Sequence, residues 1–376
     1  MRPRTTWLLT RASDLIVNAS KPHLLLIVVV LASAILLPSA HAQVPQEKIT
    51  VDEKERTFIV HLPKGYDAKQ HYALVVLLHT RDQDAFDMEQ LTRFDELADR
   101  DSVIAVYPNS TGRGWNLGIT QEEPSPSNMG RRGGRHGGWG GGGGGYPGGG
   151  GGYPGGGGGY PGGSGRSGQS RGDENRSTPA DDNAFIEQML DKLSSEYSVD
   201  TSRVYATGLS DGGFMAFRLG CTLSDRFAAI AAVGATMPKT MTCLPSHPLS
   251  TLMMNGTSDP IVHYNGGHVG RYAVLSAEDS AKYWAKLGGC QSKPQKQKLS
   301  PKEKGGMKTE VDTYDDCQKG AQVALYSIDG GGNTWPGGEQ YLVEKVIGKT
   351  SNDLNANDTI WSFFVHHQTT SSLPSK

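Results

Sequence analysis

A serine hydroxyl becomes a nucleophile when the chain holds it on a sharp bend, and Gly208-Leu209-Ser210-Asp211-Gly212 has the spacing of such a bend. The G-x-S-x-G pattern marks a nucleophile elbow when a strand runs into it and a helix leaves it. Val204, Tyr205 and Ala206 supply a β-prone run before it, and Phe214 to Leu219 supply helix-compatible residues after it. The turn forces Ser210 into a strained conformation, and the two flanking glycines stand where a Cβ would strike the adjoining backbone. The helix starting just beyond Ser210 adds unpaired N–H groups and a positive dipole end. Both favour the anionic oxygen that forms when a hydroxyl attacks an ester.

A serine of this kind needs a base and the base needs an acid, in the chain order serine, carboxylate, histidine. Asp259 fits the carboxylate. It follows Asn255-Gly256-Thr257-Ser258 at the end of an apolar strand, where the loops of a parallel sheet converge on a ligand crevice. The base is expected in the glycine-rich loop from Asp329 to Gly338, but the centre of that loop is Asn333. A carboxamide orients its neighbours by hydrogen bonding and accepts no proton at neutral pH. Four other histidines follow Asp259: His263, His268, His366 and His367. His268 leads them as a substitute base, because Gly266, Gly267 and Gly270 let its loop move.

The elements that must carry these residues alternate in type. Thr57 to Pro63 alternates like an edge strand, and Ala73 to His79 is uniformly apolar, as a strand covered on both faces must be. Met88, Leu91, Phe94, Leu97 and Ala98 have helical spacing, and Val103 to Tyr107 is the next buried strand. Phe185, Met189, Leu190 and Leu193 predict a helix, Arg203 to Thr207 the strand into the elbow, and Phe227 to Val233 and Leu249 to Met254 two more strands. Ala277 to Leu287 reads as helix, Val323 to Ile328 as strand, and Ile360 to Val365 as a closing helix. This alternation predicts an α/β fold, a mostly parallel sheet with helices on both faces.

Two segments stand apart from that pattern. Residues 1–42 place Arg2, Arg4, Arg11 and Lys21 before an apolar run from Leu24 to Leu37 and a small-residue Ala40-His41-Ala42 site. That order predicts a cleaved secretory signal, since about fourteen apolar residues fall short of the roughly 20 a bilayer span needs. Residues 121–180 hold more than half of the chain's 50 glycines, including a Gly-Tyr-Pro period marked by Tyr146, Tyr153 and Tyr160. Such a segment cannot bury enough apolar surface to offset its ordering entropy, which predicts a disordered loop insertion in a single domain spanning 43–376. The net charge of −2 gives no reason to expect a nucleic-acid partner. Four cysteines in an exported chain predict two disulfides rather than a metal cluster. Proximity in sequence pairs Cys221 with Cys243 and Cys290 with Cys317, with two other connectivities open.

Taken together, Arg56 to Pro63, Leu77 to Thr80, Tyr107-Pro108, Trp115-Asn116, Asp181-Asp182, Arg203 to Met215, Gly256 to Tyr264 and Gly331 to Gly337 resemble the secreted poly(3-hydroxybutyrate) depolymerase and feruloyl esterase family of α/β-hydrolases. The resemblance implies that Ser210 is the nucleophile and Asp259 the triad acid, and it agrees with the two disulfides. It also implies an oxyanion hole from the N–H groups of Asp211 and of the Thr80 loop. Members read Gly-Gly-His-Thr-Trp-Pro-Gly where this chain has Gly331-Gly332-Asn333-Thr334-Trp335-Pro336-Gly337, and His-Gly where it has His79-Thr80. The implied function is a secreted serine carboxylic ester hydrolase, acting without a cofactor on a polyester or on feruloyl or acetyl esters of polysaccharide. The implied cost of lacking the histidine is on the order of a million-fold in turnover, leaving roughly a thousand-fold over water. That loss motivates a second expectation, an inactive polymer-binding or carbohydrate-binding protein on a hydrolase scaffold.

Overall fold

A strand of seven residues without a polar interruption is stable only when both its faces are covered, and the strand Tyr72–Leu78 (β3) is buried at every position. It lies inside the sheet that organises the chain. The computed structural model describes residues 46–119 and 181–369. The leader expected at 1–42 and the insertion expected at 121–180 lie outside the described residues.

In chain order the remaining strands are Gln46–Val51 (β1), Lys54–His61 (β2), Val103–Pro108 (β4), Val199–Leu209 (β5), Ala229–Val233 (β6), Ser250–Gly256 (β7), Gly267–Val269 (β8), Tyr272–Val274 (β9), Gln295–Leu299 (β10), Thr309–Tyr314 (β11) and Val323–Ile328 (β12). Nine of them join β3 in one ten-stranded sheet in the order β1-β2-β4-β3-β5-β6-β7-β12-β11-β10, while β8 and β9 make a separate hairpin. From β4 to β12 neighbouring strands are parallel, and the antiparallel β1–β2 and β10–β11 pairs extend the two ends. This is the α/β-hydrolase architecture that the resemblance implies.

The helices are Ala85–Thr92 (α1), Phe94–Asp101 (α2), Asp182–Glu196 (α3), Asp211–Thr222 (α4), Ala277–Leu287 (α5), Glu344–Ile347 (α6) and Ala356–Phe364 (α7). Leu74, Val76 and Leu78 of β3 share one core with Phe185 and Met189 of α3, Phe217 of α4 and Trp284 of α5. On the other face Tyr205 of β5 stacks on Phe364 of α7 at 4.7 Å, and the Tyr107 hydroxyl donates to Asp95 of α2 at 2.7 Å. Both faces of the sheet are therefore covered by helices.

Three sequence expectations need correction. β2 is not an edge strand, because β1 pairs along its outer side from Gln46 to Val51. The helix expected around Met88 to Ala98 is two helices, broken where Arg93 takes a left-handed conformation at φ 49°, ψ 36°. Its apolar spacing runs through the break because both pieces face the same core. The strand expected from Phe227 begins at Ala229.

Two disulfides join Cys221 to Cys243 and Cys290 to Cys317, the pairing by proximity. Asp182, the first residue of α3, is buried and accepts from Arg56 of β2 and from the Asn116 backbone N–H, each at 2.6 Å. One carboxylate thus joins the chain on either side of residues 120–180. Arg56 also lies over the Phe185 ring, 3.8 Å from its centroid, and donates to Asn109 O at 3.1 Å. Desolvation nonetheless pushes the pKa of Arg56 down and that of Asp182 up, against the attraction between them.

Candidate active site

The bend expected at Ser210 is present, and steric contacts show why glycine flanks it. β5 ends at Leu209, α4 begins at Asp211, and Ser210 between them has φ 54° and ψ −109°, a strained region for a residue with a side chain. A Cβ on Gly212 would lie 2.0 Å from Leu78 O, and one on Gly208 would lie 2.5 Å from the Gly212 carbonyl. Neither gap admits a methyl group. The bend is held by Ser210 N donating to Val233 O at 2.8 Å and by Ser210 O accepting from Phe214 N at 3.0 Å. The Ser210 side chain caps nothing in its own helix, and the residue is 8% exposed.

The loop after β3 lies beside this bend. The absent Gly212 Cβ would also meet His79 O at 2.8 Å, which sets Thr80 close to the first turn of α4. The Thr80 carbonyl accepts from His79 Nδ1 at 2.8 Å and from Gln83 N at 3.3 Å. His79 Nε2 accepts from Ser110 N at 3.1 Å, so the ring is neutral with its proton on Nδ1, and burial pushes its pKa down. His79 therefore shapes the loop. The first N–H groups of α4 have no acceptor within the helix, so Asp211 N is a free donor by position. The Asp211 side chain turns the other way: it accepts from Trp115 N at 2.8 Å and lies 3.8 Å from Arg81. Burial pushes its pKa up.

Asp259 and Asn333 meet beyond the ends of β7 and β12, neighbouring parallel strands. Asp259 is 3% exposed, just past β7, and its Oδ1 accepts from Ile261 N and Val262 N, each at 2.8 Å. Its Oδ2 accepts from Asn333 Nδ2 at 2.7 Å. Burial pushes the Asp259 pKa to about 6, against these hydrogen bonds and the nearby His263. Asn333 is fully buried, and its Nδ2 also donates to Gly234 O at 2.9 Å. Gly234 follows the residue whose carbonyl holds Ser210 N, so the elbow and Asn333 hang on consecutive peptides. The Asn333 loop is anchored by buried Trp335, whose indole donates to Asn357 of α7 at 2.8 Å, and by Asn333 N donating to Ile347 O at 2.6 Å.

The other histidines divide by position. His366 and His367 follow α7 near the start of β5, where Tyr205 donates to His367 O and Thr369 N donates to Ser202 O. Ser210 lies past the other end of that strand, so neither histidine reaches it. His263 is exposed two residues beyond Ile261, and His268 is exposed on β8, paired with Ala273 of β9. Sequence reading missed Gly234 and Tyr341, whose hydroxyl donates to Asn333 O at 3.2 Å. A glycine directly after the apolar strand neighbouring the elbow was the available signal for Gly234. Nothing in the sequence around Tyr341 marks it. Among the described residues no group of three or more His, Cys, Asp or Glu side chains is placed to hold a metal ion.

No family profile matches the chain. A relative described as "Putative esterase NocK", from Nocardia uniformis subsp. tsuyamanensis, is 23% identical over 341 residues, covering 87% of this chain and 84% of its own. Feruloyl esterase B of Piromyces equi is 32% identical over 165 residues, and this chain spans 29% of its length. The alignment with a probable feruloyl esterase C of Aspergillus niger is 26% identical and spans 59% of that protein. The chain has the α/β-hydrolase fold, and these relatives of its sequence are described as esterases and feruloyl esterases. Among solved structures it is similar to an acetyl xylan esterase from Aspergillus awamori, at 13% identity and a TM-score of 0.48, over 85% of this chain and 99% of that one.

Proposed function

We propose that this α/β-hydrolase is a secreted serine carboxylic ester hydrolase. Ser210 attacks the ester carbonyl, and the N–H groups of Asp211 and the Thr80 loop hold the oxyanion. Water then releases the acid from the acyl-enzyme, with no cofactor. Asp259 is the acid of the relay, and Asn333 stands at the position of the base. The observation that carries this reading is the strained Ser210 bend at the head of α4, with Asn333 bonded both to the adjoining Gly234 and to Asp259. The names of the relatives support an ester as substrate, and the two disulfides support an oxidising compartment. Feruloyl or acetyl esters of polysaccharide suit the relatives, and a polyester of the polyhydroxyalkanoate type suits the motifs.

A second reading rests on Asn333 itself. A carboxamide bound to Asp259 cannot take the serine proton, which favours a polymer-binding or carbohydrate-binding protein that has kept the scaffold and lost turnover. Hydrolysis of p-nitrophenyl acetate and butyrate separates the two. The enzyme reading expects slow turnover by the purified chain, lost in Ser210→Ala, and an increase of about 1,000-fold in Asn333→His. Activity confined to Asn333→His would defeat the enzyme reading. Labelling of Ser210 by a fluorophosphonate reports the nucleophile whatever the natural ester is.

A further inference from the structure

β10 and β11 carry the sheet past β12, while α5 packs mainly on β12 and β7. Residues directly opposite in an antiparallel pair share a face. The register sets Lys298 beside Glu310 and Glu310 beside Ser327, and two residues along it sets Lys296 beside Asp312. On that face lies a groove of about 560 Å³, within the range of about 300–1,000 Å³ found for small-molecule sites. Tyr264 and Glu278 of α5 help to wall it, and it ends against Lys308, Asp329 and Thr257. That end belongs to the loops of the candidate site. Gly330 N donates to Thr257 Oγ1 at 2.9 Å and Ser258 N donates to Gly331 O at 3.0 Å, which ties together the segments leading to Asp259 and Asn333.

The lining selects its ligand by hydrogen-bonding type. Lys296 donates to Glu310 at 3.0 Å and to the two oxygens of Asp312 at 3.0 and 2.8 Å, which engages all of its donors. The remaining charges are two lysines, Lys298 and Lys308, and two carboxylates, Glu278 and Asp329. Carboxylates only accept and ammonium groups only donate, so a ligand that fills the groove must do both. A polyester chain only accepts. Laid on Glu278 and Asp329, it would strip their water and offer no donor in return. A polyanion would meet more carboxylates than lysines. The hydroxyls of a neutral sugar donate and accept, and its C–H faces suit the ring of Tyr264, whose own hydroxyl is bonded to Ser327 Oγ at 2.7 Å.

We infer that this groove holds a neutral polysaccharide chain and presents an ester on that chain to Ser210. The inference rests on the proposed ester hydrolase and chooses polysaccharide over polyester as its substrate. The sheet order from the elbow is β5-β6-β7-β12-β11-β10. At about 4.8 Å per strand, β12 stands about 14 Å from β5 and β10 about 24 Å from it, a span that several linked sugars cover.

The test is electrophoresis of the purified native chain through gels cast with soluble arabinoxylan. The polymer is expected to retard wild type and Ser210→Ala alike. Glu278→Ala combined with Lys298→Ala, both at exposed positions, is expected to need at least about tenfold more polymer for the same retardation. Its urea midpoint and its labelling by fluorophosphonate without polymer are expected to match wild type. Should that pair unfold, Lys308→Ala, also exposed, carries the same comparison. Saturating arabinoxylan is expected to slow labelling of Ser210 about tenfold in wild type, and not in the double variant. No retardation, retardation unchanged in the variants, or equal binding to poly(3-hydroxybutyrate) granules or polygalacturonate overturns the inference. The hydrolase then still stands if p-nitrophenyl acetate turnover is lost in Ser210→Ala. Retardation lost in the double variant, with a wild-type Ser210 that resists fluorophosphonate, removes the hydrolase reading and the presentation of an ester with it.

Discussion

A carboxylate that titrates near neutrality makes stability depend on pH, and Asp259 is such a group. Burial raises its folded pKa to about 6, above the usual aspartate value of 3.8. A folded pKa above the unfolded one means that the fold favours the protonated form. The contribution is therefore complete below about pH 4 and is lost as the pH rises through about 6. At pH 7 the loss amounts to about 3 kcal/mol. Asp259→Asn carries no such titration, so the stability of wild type relative to this variant should fall by that amount between pH 4 and pH 7 in urea unfolding. A difference that stays flat across that range would mean that the carboxylate is solvated. At this scale Ser210 and Asp259 were legible because their neighbours are short-range signals, a glycine-flanked bend and a strand-end turn. The Asn333 contact with Gly234 was not legible, since it joins residues 99 apart in sequence.

The elbow is an element-scale object, because α4 and the end of β3 must touch for Ser210 to stand where it does. Gly212→Ala puts a methyl 2.0 Å from Leu78 O, a backbone atom that cannot turn aside. The variant should lose about 3 kcal/mol in chemical unfolding and should label more slowly with fluorophosphonate, because the helix must shift to admit the methyl. Unchanged stability would mean that α4 and β3 are further apart than described. The strands legible in the sequence are β2 to β7 and β12, whose apolar or alternating residues announce a buried face. β10, Gln295 to Leu299, escaped because four of its five residues are exposed and it has no apolar face to announce it. Its lysines suit a strand at the rim of a sheet, where they discourage pairing with another chain. β1 escaped for a related reason, and its omission made β2 look like the edge.

For the whole molecule, the question is how one domain tolerates residues 120–180 in its middle. The Arg56–Asp182 pair answers by location more than by energy. Arg56→Ala would leave Asp182 buried without its cation, which should cost about 3–5 kcal/mol in thermal or chemical unfolding. Loss of under 1 kcal/mol would show that water reaches the carboxylate. Replacing residues 121–180 with a ten-residue linker should move stability by no more than about 1–2 kcal/mol, the entropy expected of a connection that contributes only chain length. A larger loss would mean that the segment packs on the domain. With both of its banks moored to a single carboxylate, the excursion departs and returns through one gate. The strands beside those two banks are expected to keep their register when the length or composition between them is rewritten.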